Sequence, residues 1–161
     1  MWTVIFNDPN TNEQAIIKVL SSPALGEIIE FDVEMNTIPI DDAKAKDVTV
    51  NWKMYNGFNA NKTFWTDSNA MEMQERNIYA LSRPEHTVPG NYYPVTSAIA
   101  MRDIQSNLQV TILNDRPQGG SADLLLNNTI ELMQMRRLLG DDGKGIGEAL
   151  NETDSYDDLG I

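Results

Sequence analysis

One histidine, His86, no cysteine and 24 carboxylates bound the chemistry open to this chain of 161 residues. A zinc site made of several imidazoles cannot be assembled from one imidazole, and no thiol nucleophile exists. A Ser–His–Asp triad would have to use His86, which stands in a proline-flanked stretch, RPEHTVPG, with no GxSxG signal around it. Paired carboxylates can run glycoside hydrolysis, but their abundance here makes any single pair uninformative. The run RRLLGDDGKGIG (136–147) has the composition of a binding loop. An EF-hand started at Asp141 would put Gly143, Gly145 and Ile146 at positions 3, 5 and 6; only Asp141 and Glu152 fit. A P-loop needs Ser or Thr after its lysine, but Lys144 is followed by Gly145, and Asp141 and Asp142 would repel phosphate. By spacing alone the run is a turn whose glycines supply positive φ. Arg136 and Arg137 read as a strand-end pair meeting carboxylates on neighbouring strands.

The elements that position these residues are strands. Val48, Val50, Trp52 and Met54 alternate with Thr49, Asn51 and Lys53. Ile29, Phe31, Val33 and Met35 alternate with Glu30, Asp32 and Glu34, and Leu108, Val110 and Ile112 keep the same period. A half-buried strand requires that period of two. QAIIKVL (14–20), SAIAMRD (97–103) and TIELMQMRRL (129–138) are further strands, the last with composition that also suits a helix. NDPN (7–10), SSP (21–23), NGFN (56–59), VPGN (88–91) and NDRPQGG (114–120) punctuate them as turns. Short strands divided by turns predict an all-β antiparallel β-sandwich over residues 1–152, with a polar acidic tail at 153–161. Trp52, Met133 and Met135 are expected in the core. The chain opens on an apolar strand, WTVIF, an edge that wants a partner and hints at a piece of something larger.

Net charge −12 argues against nucleic acid and gives no support to an anionic membrane surface. No run approaches a membrane span, and the start lacks the basic and apolar regions of a leader, so a secretory address would lie outside this chain. Three N-x-T sequons, at Asn61, Asn127 and Asn151, fit passage through a secretory pathway or arise by chance in a chain rich in Asn and Thr.

Five blocks occur in order: TFWTDSNAMEMQERN (63–77), VPGNYYPVTSAI (88–99), LQVTILNDRPQGGSA (108–122), and IELMQMRRLLGDDGKGIGE (130–148), the last holding two of them. They resemble the C-terminal part of glycoside hydrolase family 38 alpha-mannosidases, closest to the lysosomal or acid type. That family's runs are TDSNG, GNYYPV, DRxQGGSS, ELMxxRR and DDGRG. The likeness covers about residues 14 to 152. It departs at Ala70 for glycine, Pro117 where many members have serine, and Lys144 for arginine. The last puts in doubt any role needing a guanidinium fork there.

The resemblance implies a supersandwich-like β-sandwich with no catalytic residue and no metal ligand of its own. Zinc and the aspartate nucleophile would belong to a catalytic domain absent from this chain, and the parent would remove terminal alpha-linked mannose from glycans by a retaining mechanism. Asp141, Asp142, Gly143 and Lys144 would then either line the rim of a mannose pocket or only fix a domain interface. Asp67, Asn69, Arg116, Arg136 and Arg137 would be interface or structural residues, and Tyr92 and Tyr93 packing residues. The implied partners are the parent's catalytic domain and, through it, a mannose-containing glycan. The implied location is lysosome, vacuole or secretory pathway. Two rivals stand beside this reading. One is a stand-alone carbohydrate-binding sandwich displaying tryptophans on a concave face. The other is an independent hydrolase built on an Asp/Glu pair.

Overall fold

The computed structural model describes residues 2–7, 14–21, 28–35, 38, 42–55, 57–79, 87–141, 143–145 and 147–149. His86, Asp142, Asn151, Glu152 and the acidic tail lie outside them. The chain divides into two compact units, one formed by Met1–Lys46 with Arg137–Ile161 and the other by Asp47–Arg136.

In the first unit, β1 (Trp2–Asn7), β2 (Gln14–Ser21) and β3 (Ile29–Met35) make an antiparallel meander. Lys18 faces Asp32 directly across β2 and β3, and its ammonium also reaches Glu34. The β3 face expected in the core is open at one end: Ile29 is 53% and Phe31 39% exposed, whereas Val33 and Met35 are half-buried.

The second unit is a sandwich. One sheet has the order β4-β11-β10-β7, from Lys46–Lys53, Thr129–Arg137, Gln118–Ala122 and Tyr93–Val95. The other has the order β6-β5-β8-β9, from Glu72–Asn77, Thr63–Ser68, Ala98–Asp103 and Leu108–Leu113. One helical turn, α1 (Thr87–Gly90), follows β6. Phe64, Ile99 and Met101 from one sheet meet Val95, Ala122, Ile130 and Leu132 from the other in a closed core. Each large side chain buried there stabilises the fold by roughly 1.5–3 kcal/mol. Trp52, Val110 and Ile112 pack against its margin, as their alternation predicts. Met133 and Met135 are half-buried.

TIELMQMRRL is strand, as expected: β11 is held between β4 and β10, and inter-strand bonds decide its ambiguous composition. One element differs from the sequence reading. The turn NDRPQGG stops at Pro117, and Gln118–Ala122 is an interior strand. Its glycines are not turn residues. A Cβ on Gly120 would lie 2.8 Å from Leu132 Cδ2 and 2.9 Å from Val95 Cγ2, so only a bare backbone lets the layers close.

Candidate functional site

Three aspartates, Asp67, Asp103 and Asp123, are each 5% exposed, and each is spent on backbone amides. Asp67 stands one residue before the end of β5 and closes one end of the sandwich. Its Oδ1 accepts from the amides of Thr96 (2.8 Å), Ser97 (3.1 Å) and Ala98 (3.2 Å). Its Oδ2 accepts from the Ala70 amide at 2.8 Å and the Ser97 hydroxyl at 3.2 Å. Burial pushes this carboxyl's pKa up, but the amides of Ser97, Ala98, Ala70 and Thr96 outweigh burial and bring it down to about 2. A carboxylate so fully occupied has no lone pair left for a substrate or metal.

The opposite end carries the other two. Asp103 accepts from Asn59 (3.1 Å), Gln105 (2.9 Å) and Ser106 (3.2 Å) amides, and Ser106 above all holds its carboxyl below the usual range. Asp123 accepts from the Lys62 amide at 2.9 Å and from the Asn128 amide, joining two turns through one side chain.

Between the ends, one sheet is locked from both faces. The Tyr92 ring lies over Gly119, where a Cβ would come 3.0 Å from its Cε1. The Tyr92 hydroxyl donates to Glu131 at 3.0 Å; burial, and then the Glu131 charge, push its pKa up. Asn91 is fully buried, donating to the carbonyls of Tyr79 (2.9 Å) and Thr87 (2.8 Å), while its own carbonyl accepts from Ser121 Oγ at 2.8 Å. Tyr93 meets Phe64 edge-on at 5.8 Å, and the Arg76 guanidinium sits 4.5 Å over its ring.

The sequence-selected residues fall into separate places. Asp67 is the clasp. Asn69 (φ 53°) and Ala70 (φ 57°) form the β5–β6 turn, closed by the Met71 amide on the Ser68 carbonyl at 3.0 Å. Arg136 meets Asp47 on β4 with two bonds of 2.6 and 3.0 Å. Arg137 is buried and donates to the Ile38 carbonyl at 2.5 Å. Arg116 is exposed beside Asp115 at 3.7 Å. Asp141, Gly143 and Lys144 are exposed, with Gly143 at φ 71° as a turn glycine requires. They lie in the first unit, whereas Asp67, Asn69, Arg116 and Arg136 lie in the second. Asn61 and Asn127 are exposed. Trp52 and Trp65 are half-buried, and Arg102 covers the Trp65 ring at 4.9 Å. Among the described residues, no three His, Cys, Asp or Glu side chains converge to hold a metal.

Sequence reasoning missed Asp103, Asp123 and Glu131. The first two stand immediately before turns, which is the signal that could have found them; Glu131 carries no local signal because its partner, Tyr92, is 39 residues away.

Fold and site together define an antiparallel β-sandwich whose polar residue types hold its own turns and layers. A model of the glycosyl hydrolases family 38 C-terminal domain matches residues 6–144. The lysosomal alpha-mannosidase of Felis catus is 42% identical over 129 residues, 77% of this chain and 12% of that protein. The human lysosomal alpha-mannosidase is 39% identical over 132 residues, 79% of this chain and 12% of its own length. An alpha-mannosidase of Canavalia ensiformis is 37% identical over 127 residues, 76% and 12%. The chain belongs to the family 38 C-terminal domain family. It spans about 12% of the length of the curated relatives it matches.

Proposed function

We propose that this chain is a non-catalytic β-sandwich part of a zinc-dependent, retaining alpha-mannosidase that releases terminal alpha-linked mannose from glycans. Zinc and the nucleophile would be supplied by a catalytic domain outside these residues, and the sandwich would buttress that domain. The observation that carries this reading is the state of the motif residues. Four of the five blocks resembling the family close on one another as packing and hydrogen bonds, and the most perturbed carboxylate among the described residues, Asp67, has both oxygens occupied by protein donors. A catalytic acid or nucleophile needs an oxygen facing substrate. The protein would work in the lysosome or along the secretory pathway, as the names of its relatives suggest.

Asp141, Asp142, Gly143 and Lys144 are the candidates for a rim loop over the mannose pocket. Backbone contacts from this loop would tolerate lysine for arginine. In the full-length protein, Gly143→Val, which strains the φ 71° backbone while its Cβ meets nothing within 4 Å, would then raise KM; an unchanged KM would leave the loop a connector. The isolated chain is expected to release nothing from a chromogenic alpha-mannoside at any zinc concentration. Zinc-dependent turnover by the pure chain would overturn the reading. A stand-alone sugar-binding module is disfavoured by Trp52, half-buried against the core, and by Trp65, half-buried with Arg102 over its ring.

A further inference from the structure

The sandwich has two dissimilar ends. The chain enters it at the start of β4 and leaves it at the end of β11, where Asp47 and Arg136 pair. Both crossings are on the Asp67 side, because β4 finishes beside the turn that begins β11: the Met54 amide donates to the Asn128 carbonyl at 2.8 Å. The remote end is built from the turns 57–62, 104–107 and 123–128, fastened by Asp103 and Asp123.

Two of the three N-x-T sequons stand on that remote end. Asn61 occupies a tight turn with Lys62, both at positive φ (52° and 58°), closed by the Thr63 amide on the Ala60 carbonyl at 3.1 Å. Asn127 precedes Asn128 (φ 56°), and the Thr129 hydroxyl donates to the Asn127 carbonyl at 3.2 Å. Neither middle residue is proline. Both asparagines are exposed, and among the described residues no hydrogen bond engages either side-chain amide. Asp123 ties the two turns together, since the Lys62 and Asn128 amides share its carboxylate.

We propose that Asn61 and Asn127 form a paired N-glycosylation site that keeps the end of the sandwich remote from its chain connections facing solvent. In the transfer, Nδ2 of the asparagine forms a bond to C1 of an oligosaccharide carried on a polyprenyl diphosphate. The C1–oxygen bond to the diphosphate breaks, the lipid diphosphate leaves with the bonding pair, and the amide gives up one proton. Two bulky hydrophilic chains on adjoining turns exclude a protein interface there. Docking to the rest of the protein is thereby confined to other surfaces of the sandwich. The inference rests on the secretory reading above.

The test keeps the two apart. The full chain, carrying Asn151→Gln, is expressed behind a secretory leader in a eukaryotic host with a reporter sequon appended. Glycopeptides are mapped by mass spectrometry before and after peptide-N-glycosidase. Both Asn61 and Asn127 are expected occupied, with Asn61→Gln and Asn127→Gln each removing one mobility step. Occupancy at one position alone overturns the pairing. An occupied reporter with both positions bare overturns the site, since the leader has forced passage. Fractionation of the native protein tests the compartment independently.

Discussion

Replacing Asp67 by asparagine isolates the clasp at the β4-entry end of the sandwich. The carboxyl moves from an ordinary value of 3.8 to about 2 on folding. At about 1.4 kcal/mol per unit, that shift corresponds to about 2 kcal/mol of stability. With Asp67 only 5% exposed, solvent screening takes little of it away. The folded-state pKa is depressed, so the contribution is complete well above pH 3.8 and lost as pH falls through about 2. About half should be gone by pH 3, from the same linkage relation. Asparagine keeps one acceptor for the Thr96, Ser97 and Ala98 amides but points an NH2 at the Ala70 amide, stranding a donor at a cost of about 1–3 kcal/mol. At neutral pH, Asp67→Asn should therefore lower stability by about 3–5 kcal/mol. Urea unfolding, followed by tryptophan fluorescence on both proteins at pH 7 and pH 3, measures the gap; taking the difference cancels every other titrating group. The gap should narrow by about 1 kcal/mol in acid. A gap that stays constant with pH would mean that Asp67's charge is not what holds the amides.

Ala70→Gly should raise stability by about 0.5–1 kcal/mol, because an exposed alanine at φ 57° carries a Cβ penalty that glycine escapes; calorimetry would register a higher Tm. Gly120→Ala should destabilise by about 1–3 kcal/mol, measured as a lower urea midpoint, since its Cβ enters a space closed by Leu132, Val95 and the Glu131 carbonyl. Tyr92→Phe should cost about 1 kcal/mol at neutral pH by removing the donor to Glu131, and Glu131→Gln in the same background should then add little.

The strands were legible where one face is buried and the other wet. Val48, Val50 and Trp52 are half-buried in β4, and Val110 and Ile112 line the core margin, because a period of two maps directly onto the two faces of a sheet. The interior strand Gln118–Ala122 was not legible, because two adjacent glycines signal a turn locally and close packing only globally. The exposure of Ile29 and Phe31 was hidden for a related reason: alternation says that a face is apolar, not that something covers it. The clasps were half legible. Asp67 stands in a turn motif, but its main donors lie 29 to 31 residues onward, and the Asp123–Lys62 bond spans 61 residues. No local pattern encodes a partner at such separations.

Those long separations also explain why the blocks that mark the family are so distinct within this chain. TDSN is joined to the stretch after GNYYPV through Asp67, GNYYPV to QGGSA through Tyr92 on Gly119 and Asn91 on Ser121, and GNYYPV to ELMQMRR through Tyr92 on Glu131. Changing one member strands a buried donor, an acceptor or a ring, so these segments are constrained as a set. The DDGKG run is of another kind. Asp141, Gly143 and Lys144 are exposed, and a Cβ at Gly143 would meet nothing within 4 Å. The packing that accounts for the other four blocks does not account for this one. What distinguishes it in the structure is its backbone, with Gly143 at a φ of 71° that favours glycine.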